Sequence, residues 1–335
     1  MDEADRELLN EIQWTFPLVV RPFDAIAKKF NTTSDAVKER LLRLKDEGVL
    51  RQLSAIFDTR RLGYTSSLVA MEIAPDRLEH VAGQINLHPG VSHNYERNHK
   101  FNLWFTLAVP PGSDLEAELA KFNALEGIKS TRMLPTLQLF KIGVKLDMVE
   151  DKKHEVLPSE AKKDVKNVEF VPDEEDKEFV RQLQKDLEIT DEPFARAASC
   201  LGMTQDEMFA RLKHYEEIGV MRRFAAILRH RQAGFMANGM IVWKVPEGRI
   251  SEVGKMLGSF PQVSHCYERP TYPDWPYNVF SMIHCKTQDE AKEMAGSIQR
   301  QIGVDDYNIL FSSREFKKTR VEYFAEGSFT LKVPA

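Results

Sequence analysis

Cysteine is scarce in this chain. Cys200, Cys266 and Cys285 are the only three in 335 residues, and none forms a C-x-x-C pair. So small and odd a set excludes a disulfide framework and fits a reducing cytoplasm. Cys266 and Cys285 are expected as small buried hydrophobes. Long apolar runs are missing too. No stretch reaches the roughly 18 residues that a membrane span requires. The acidic start, Met1-Asp2-Glu3-Ala4-Asp5, has no apolar signal region, so neither a signal peptide nor a span is expected. An excess of positive charge is also lacking: 46 Lys and Arg face 51 Asp and Glu, a formal net charge of −5. That balance argues against the DNA backbone as the main partner, while allowing a local basic patch. Fingerprints for thiamine, pyridoxal or flavin are absent.

With 42% hydrophobic and 29% charged residues, the sequence reads as soluble and globular. It is too long for one ordinary core. It also repeats itself once. Asp2-Glu3-Ala4-Asp5 recurs as Asp173-Glu174-Glu175-Asp176, Pro22-Phe23 as Pro193-Phe194, and Gly48-Val49 as Gly219-Val220. Val91-Ser92-His93 recurs as Val263-Ser264-His265, Asn102 as Asn278, and Phe140-Lys141 as Phe316-Lys317. One long period means a duplicated domain, not a solenoid. Between the copies, residues 147–178 hold 12 acids and six bases, a composition that reads as a charge-extended tether.

Helical spacing appears at Leu8, Leu9 and Ile12, again from Phe23 to Phe30, and at Val37, Leu41 and Leu44 behind the N-cap Thr33. A strand from Leu50 to Phe57 follows. Three helices and a strand make a winged helix-turn-helix layout. The remainder of the half alternates as β-α-β-β-α-β, a ferredoxin-like antiparallel sheet with helices on one face. The other face is left to bind something flat or to meet its twin. The expected fold is α+β: two tandem repeats, each a winged helix-turn-helix followed by a ferredoxin-like sheet domain. Boundaries fall at 1–60 and 61–146 for the first copy, 147–172 for the linker, and 173–231 and 232–335 for the second.

The chemistry gathers at His93-Asn94-Tyr95-Glu96-Arg97-Asn98-His99. Alternate residues of a strand share a face, so His93, Tyr95, Arg97 and His99 point one way. His265, Tyr267 and Arg269 repeat the arrangement. A solvated strand face and common ancestry of the halves would also produce such a pattern. The helix-turn-helix can be tested against DNA. Its third helix, Thr33 to Val49, carries four acids and four bases. The counterpart, Thr204 to Gly219, places Asp206 and Glu207 at the N-terminal turn, where they suit the helix dipole and repel phosphate.

A helix-turn-helix followed by such a sheet resembles the Lrp/AsnC family of regulators. The strings Val91-Ser92-His93-Asn94-Tyr95-Glu96-Arg97-Asn98-His99-Lys100-Phe101-Asn102-Leu103-Trp104-Phe105-Thr106 and His265-Cys266-Tyr267-Glu268-Arg269-Pro270-Thr271-Tyr272-Pro273-Asp274-Trp275-Pro276-Tyr277-Asn278 look more like the siroheme decarboxylases. The resemblance covers nearly all of the chain apart from the linker. That family often uses two related subunits, and here both motif types stand in one chain, as in a fused version.

The resemblance implies removal of CO2 from the two acetate side chains at ring positions 12 and 18 of siroheme, giving 12,18-didecarboxysiroheme. It implies active-site histidines, for which His93, His99 and His265 are the natural carriers, as proton donor or as contact to the substrate iron. No separate cofactor is required, because the conjugated macrocycle can accept the electrons, and no structural metal is expected. The remaining carboxylates need cations, and arginine is the better clamp. Arg97 and Arg269 lie on the histidine faces. Arg51, Arg60, Arg61, Arg222, Arg223, Arg229 and Arg231 cluster around the strand after each helix-turn-helix, with His230 among them. Tyr95, Tyr267, Asn102 and Asn278 complete the candidate contacts. Trp104 reads as core yet follows the motif closely. Tyr272, Trp275 and Tyr277 could stack on the macrocycle. Siroheme is thus the expected partner, with the halves pairing as a pseudo-heterodimer. A homodimer of the chain stays open, no membrane is involved, and DNA is disfavoured. Two other classes stay in view: a DNA-binding regulator and a non-catalytic tetrapyrrole carrier.

Overall fold

The computed structural model describes residues 1–142, 169–228 and 237–326. Residues 147–168 of the expected tether, with Arg229, His230 and Arg231, lie outside the described residues. The first half runs α1 (Glu3–Ile12), α2 (Pro22–Lys29), α3 (Ser34–Asp46) and β1 (Leu50–Phe57). It continues as β2 (Thr65–Ile73), α4 (Leu78–Asn86), β3 (Val91–Arg97), β4 (Leu103–Val109), α5 (Leu115–Asn123), β5 (Ile128–Leu134) and β6 (Gln138–Ile142). The second half repeats it as α6 (Glu174–Leu183), α7 (Ala195–Cys200), α8 (Gln205–Glu217) and β7 (Met221–Leu228). Its sheet domain is β8 (Ala237–Trp243), α9 (Ile250–Ser259), β9 (Val263–Glu268), β10 (Val279–Cys285), α10 (Gln288–Ile302) and β11 (Tyr307–Lys318).

The repeated sequence pairs have structural reasons. Asp2 with Asp5, and Asp173 with Asp176, form reciprocal capping boxes that satisfy the first orphan N–H groups of α1 and α6. Pro22 occupies the first turn of α2, where its missing N–H costs nothing. Gly48 and Gly219 take φ of 71° and 74° just past α3 and α8, a left-handed turn that favours glycine.

The two sheet domains join into one nine-stranded antiparallel sheet, ordered β5-β2-β4-β3-β11-β8-β10-β9-β6. Strand β11 pairs with β8 over Tyr307–Phe311 and then with β3 of the other half over Ser312–Lys318. Strand β6 returns the exchange by pairing with β9. Each half therefore completes the sheet of the other. The helix-free faces meet in an apolar core of Ala70, Phe101, Trp104, Leu134, Met240, Val242, Trp275, Phe280 and Leu310. Over this core the face meets its twin, and the rows described below lie on the same face.

The helix-turn-helix units also pair. Strands β1 and β7 form an antiparallel ribbon from Leu50↔Leu228 to Phe57↔Met221. Both units share one core, in which Phe16 touches Phe23, Phe194 and Phe224. Lys38, Arg40, Arg43 and Lys45 of α3 and Arg211 of α8 are engaged within the protein. Arg40 and Arg43 bind the buried carboxylate of Asp5 at 2.8 and 2.6 Å, and Arg211 binds Asp176 at 2.5 Å. Burial would raise the Asp5 pKa, but Arg43, the N–H of Asp2's box and Arg40 outweigh it and hold it at about 2. Lys38, at the start of α3, is bonded to Asp191 of the second half.

Candidate active site

The site grows from β3 and β9. On β3, Asn94 is fully buried against α4, where its Nδ2 donates to Asn86 Oδ1 at 2.9 Å. On β9, Cys266 is buried toward α9, beside the Gly254 carbonyl at 3.7 Å. The alternate residues must then face the space between the two sheets. They are His93, Tyr95 and Arg97 in one row, and His265, Tyr267 and Arg269 in the other, as the period of two implies.

A β-bulge refines this geometry. The ladder between β3 and β4 slips between Val91↔Leu107 and Asn94↔Phe105, and that between β9 and β10 slips between Met282↔His265 and Ile283↔Val263. Each slip inserts an extra residue next to the histidine, which lets a serine and the following imidazole share a side. Ser92 Oγ lies 2.9 Å from His93 Nδ1 and 2.8 Å from Thr106 Oγ1. Ser264 Oγ lies 2.9 Å from His265 Nδ1 and 2.8 Å from His284 Nε2. In both rows the imidazole is tied at Nδ1. The rings lie over the next tyrosine, His93 on Tyr95 at 6.2 Å and His265 on Tyr267 at 6.1 Å between centroids.

The rows end on buried cations. Arg97, 7% exposed, donates from Nη1 to the Leu310 carbonyl of β11 at 2.8 Å. Arg269 does the same to the Leu134 carbonyl of β5. Their guanidinium carbons lie 5.7 Å from the Tyr95 ring and 5.0 Å from the Tyr267 ring. Burial pulls each pKa down to about 10. The Nε of each is buried without a hydrogen-bond partner, an unused donor in each row.

Further arginines close in from the β1–β7 ribbon. Arg222 is bonded to Asp58 at 2.8 Å, and Arg223 lies 4.8 Å over the Trp14 ring. The Tyr267 hydroxyl is pushed up by burial, against the pull of Arg269, Arg60 and Arg222, so the charge of these cations is felt at the second row. Arg320 joins them from the end of β11, where the Thr319 N–H donates to the Ser92 carbonyl at 2.6 Å. Its pKa is pulled down to about 10, first by burial and then by Arg223, Arg51 and Arg222, with Tyr323 opposing. No ion pair or hydrogen bond of the Arg320 side chain occurs among the described residues. Lys318 stands opposite His93 in the ladder, whereas Ile142 stands opposite His265.

Several expected contacts belong elsewhere. Asn102 and Asn278 are structural clamps: each amide both donates to and accepts from the backbone, of Ile73 for one and Val245 for the other, at 2.8–2.9 Å. Trp104 is 1% exposed and gives its Nε1–H to the Phe101 carbonyl at 2.7 Å. Trp275 is completely buried in the apolar core against Trp104 and Phe280, because the loop that carries it folds inward. Neither indole is free to cover a macrocycle. Tyr272 donates its hydroxyl to the Met133 carbonyl. His99 does not continue the row of His93: β3 ends at Arg97, and His99 lies in the turn that leads to β4, where its N–H donates to the Arg97 carbonyl at 2.8 Å. There its Nδ1 accepts the Phe101 N–H and its ring meets the Trp275 edge at 5.3 Å. His230 and Arg231 fall outside the described residues. Sequence reasoning missed Arg320 and His284. The latter shares the inward face of β10 with Phe280 and Met282, a period-two signal that was there to be read.

Burial is the chief reason the His99 and His284 pKa values sit below the ordinary imidazole value, with Lys100 and Lys318 adding to it. The unfolded chain therefore binds more protons than the folded one near pH ~6.5 and below. Stability present above that pH is lost as pH falls through the depressed folded values. The melting temperature is expected to drop between about pH 7.5 and 5, and a calorimetric scan showing no change would contradict this. Among the described residues, no group of three or more His, Cys, Asp or Glu could hold a metal ion. No helix among them is long and apolar enough to cross a membrane.

Comparison with known proteins adds the following. The profile described as an AsnC-like ligand binding domain matches residues 61–141 and 232–317. That described as a siroheme decarboxylase NirDL-like HTH domain matches 5–51 and 176–222. A siroheme decarboxylase of Hydrogenobacter thermophilus is 42% identical over 327 residues, which are 97% of this chain and 96% of that protein. The siroheme decarboxylase beta subunit of Methanosarcina barkeri is 46% identical over 149 residues, 44% of this chain and 98% of the subunit. A crystal structure of the siroheme decarboxylase NirDL with an iron-uroporphyrin III analogue matches with a TM-score of 0.75 at 36% identity, covering 97% of this chain and 95% of that one.

Proposed function

The chain belongs to the siroheme decarboxylase family, carboxy-lyases here in the fused form, and on that premise we propose how its own residues act. The substrate lies between the two inward rows and loses CO2 from the acetates at ring positions 12 and 18. The observation that carries this reading is the pair of imidazoles tied at Nδ1 by a bulge serine, each in a row that ends on a buried guanidinium. Breaking the bond to the carboxylate leaves an electron pair on the side-chain carbon, delocalised into the macrocycle. A proton must then reach that carbon to make a methyl group. With Nδ1 engaged, the atom of His93 or His265 that carries the proton is Nε2. Imidazole has the right intrinsic pKa for this at neutral pH.

The carboxylates that are kept meet arginine. Arg320, Arg51, Arg222 and Arg60 supply positive charge where the rows approach the β1–β7 ribbon, and Arg97 and Arg269 each hold a spare donor. Replacing Arg320 with alanine is expected to weaken siroheme binding by roughly 10-fold, the scale of one charge-assisted contact. Absorbance titration of the tetrapyrrole measures this, and an unchanged affinity would remove Arg320 from the site. The engaged cations of α3 and α8 support a helix-turn-helix kept as a scaffold for pairing. The deciding experiment is anaerobic incubation with siroheme followed by mass analysis. Loss of two CO2 units is expected. Spectral binding with no loss of mass would point to a carrier instead.

A further inference from the structure

The two rows are alike up to the serine and differ beyond it. In the first row Ser92 Oγ meets a second hydroxyl, Thr106 Oγ1, at 2.8 Å, and either can be the donor. In the second it meets the imidazole of His284, Nε2, at 2.8 Å. The Met282 carbonyl is the rival acceptor for that serine proton, but at 3.3 Å it is the longer contact. Burial favours the neutral form of His284, and a neutral imidazole has one bare nitrogen. With that nitrogen at Nε2, Ser264 donates to His284, and the serine lone pairs are left to accept Nδ1–H of His265.

We propose that His284, acting through Ser264, is a positioning residue that holds His265 with its proton on Nδ1, so that Nε2 is the atom that gains and delivers the catalytic proton. This rests on the proton-donor role given to His265 above. In the step itself, the carbon–carboxylate bond breaks and its electrons stay on the side chain. The Nε2–H bond of the imidazolium then breaks as the new C–H bond forms. His265 is left neutral, protonated at Nδ1, and recovers its proton from water. Ser264 and His284 exchange no net proton. Their hydrogen bonds stabilise the charged form of His265, as an orienting acceptor does for a catalytic imidazole elsewhere. The charged groups facing this pair are Lys318 from β11, whose field acts on His284, and Arg60 and Arg222 beyond Tyr267. Ile142, opposite His265 on β6, adds no charge. The first row has no such bias, so the rows are not equivalent.

The test compares His284→Leu, His284→Gln and Ser264→Ala with the parent full-length chain, using anaerobic siroheme turnover across pH. His284→Leu is expected to lower kcat about 10-fold with KM within about twofold, and to move the alkaline limb of the kcat profile to lower pH. Glutamine, whose amide oxygen can accept from Ser264, should restore kcat to within about threefold. Ser264→Ala should match His284→Leu, and the double variant should be no worse than either. A parental kcat and pH profile in His284→Leu would overturn the proposal, as would glutamine failing to rescue or additive losses in the double variant. If the leucine variant does not fold, glutamine and Ser264→Ala decide by the same readings. His265→Ala separates the two levels. If it turns over normally, the donor assignment itself fails. If it is inactive while the His284 and Ser264 variants are normal, only the positioning role fails.

Discussion

Alanine at His265 is expected to leave siroheme bound and to cut turnover by roughly 10²- to 10⁴-fold, the usual worth of a placed general acid. The ring is held at Nδ1 by Ser264 at 2.9 Å and lies along the Tyr267 ring, so it is aimed rather than mobile. Truncation removes the proton but not the arginines proposed to hold the carboxylates, and affinity should therefore survive. His93→Ala is expected to behave likewise for the arm it serves, leaving a singly decarboxylated product that mass analysis would resolve. His99→Ala should instead lower the melting temperature more than turnover, since that ring packs on Trp275 and Phe101. Parental turnover by His265→Ala would end the assignment.

Glutamate at Arg97 is expected to destabilise the fold by roughly 3–5 kcal/mol, the penalty of a buried charge with no partner. The native guanidinium donates to the Leu310 carbonyl where β3 meets β11, and its face lies against Tyr95. A carboxylate there would confront a carbonyl oxygen and the negative face of a ring. Methionine keeps the packing but leaves that carbonyl without its donor, at a cost of about 1–3 kcal/mol. Urea unfolding midpoints measure both, and a parental midpoint for Arg97→Glu would contradict the account. The methionine variant also isolates the binding role. If it folds and binds siroheme as tightly as the parent, the unused Nε is not a carboxylate contact.

Much of this architecture was legible in the residues. The duplicated Asp-x-x-Asp boxes, the glycines after the third helices and the period-two rows each reflect a local rule that holds wherever the pattern occurs. What escaped was long-range or irregular. A bulge inserts one residue without altering composition, so nothing in Val91-Ser92-His93 told that serine and histidine would share a side. Arg320 reaches the candidate site only because β11 crosses into the other half and brings its end to Ser92. Trp275 looked like a loop aromatic, but the turn of Tyr272 and Trp275, bonded to each other through their backbones, tucks it into the core. Asn102 and Asn278 stand where a ligand contact would, and both are spent on backbone groups where strand β2 or β8 runs out. The end of β3 at Arg97, not residue type, was what took His99 out of the row of His93.

The reciprocal lending of β6 and β11 has an evolutionary consequence. Two identical subunits exchanging strands in this way would carry every substitution twice, so a change that helps one row would be forced on the other. Linking two copies in one polypeptide lifts that constraint. The second copy can back its serine with His284 where the first backs Ser92 with Thr106, and its sequence can carry Arg320 at the position that corresponds to Val144 in the first. A single polypeptide can thus vary its two rows separately, while the exchange of β6 and β11 holds the halves together as an internal seam.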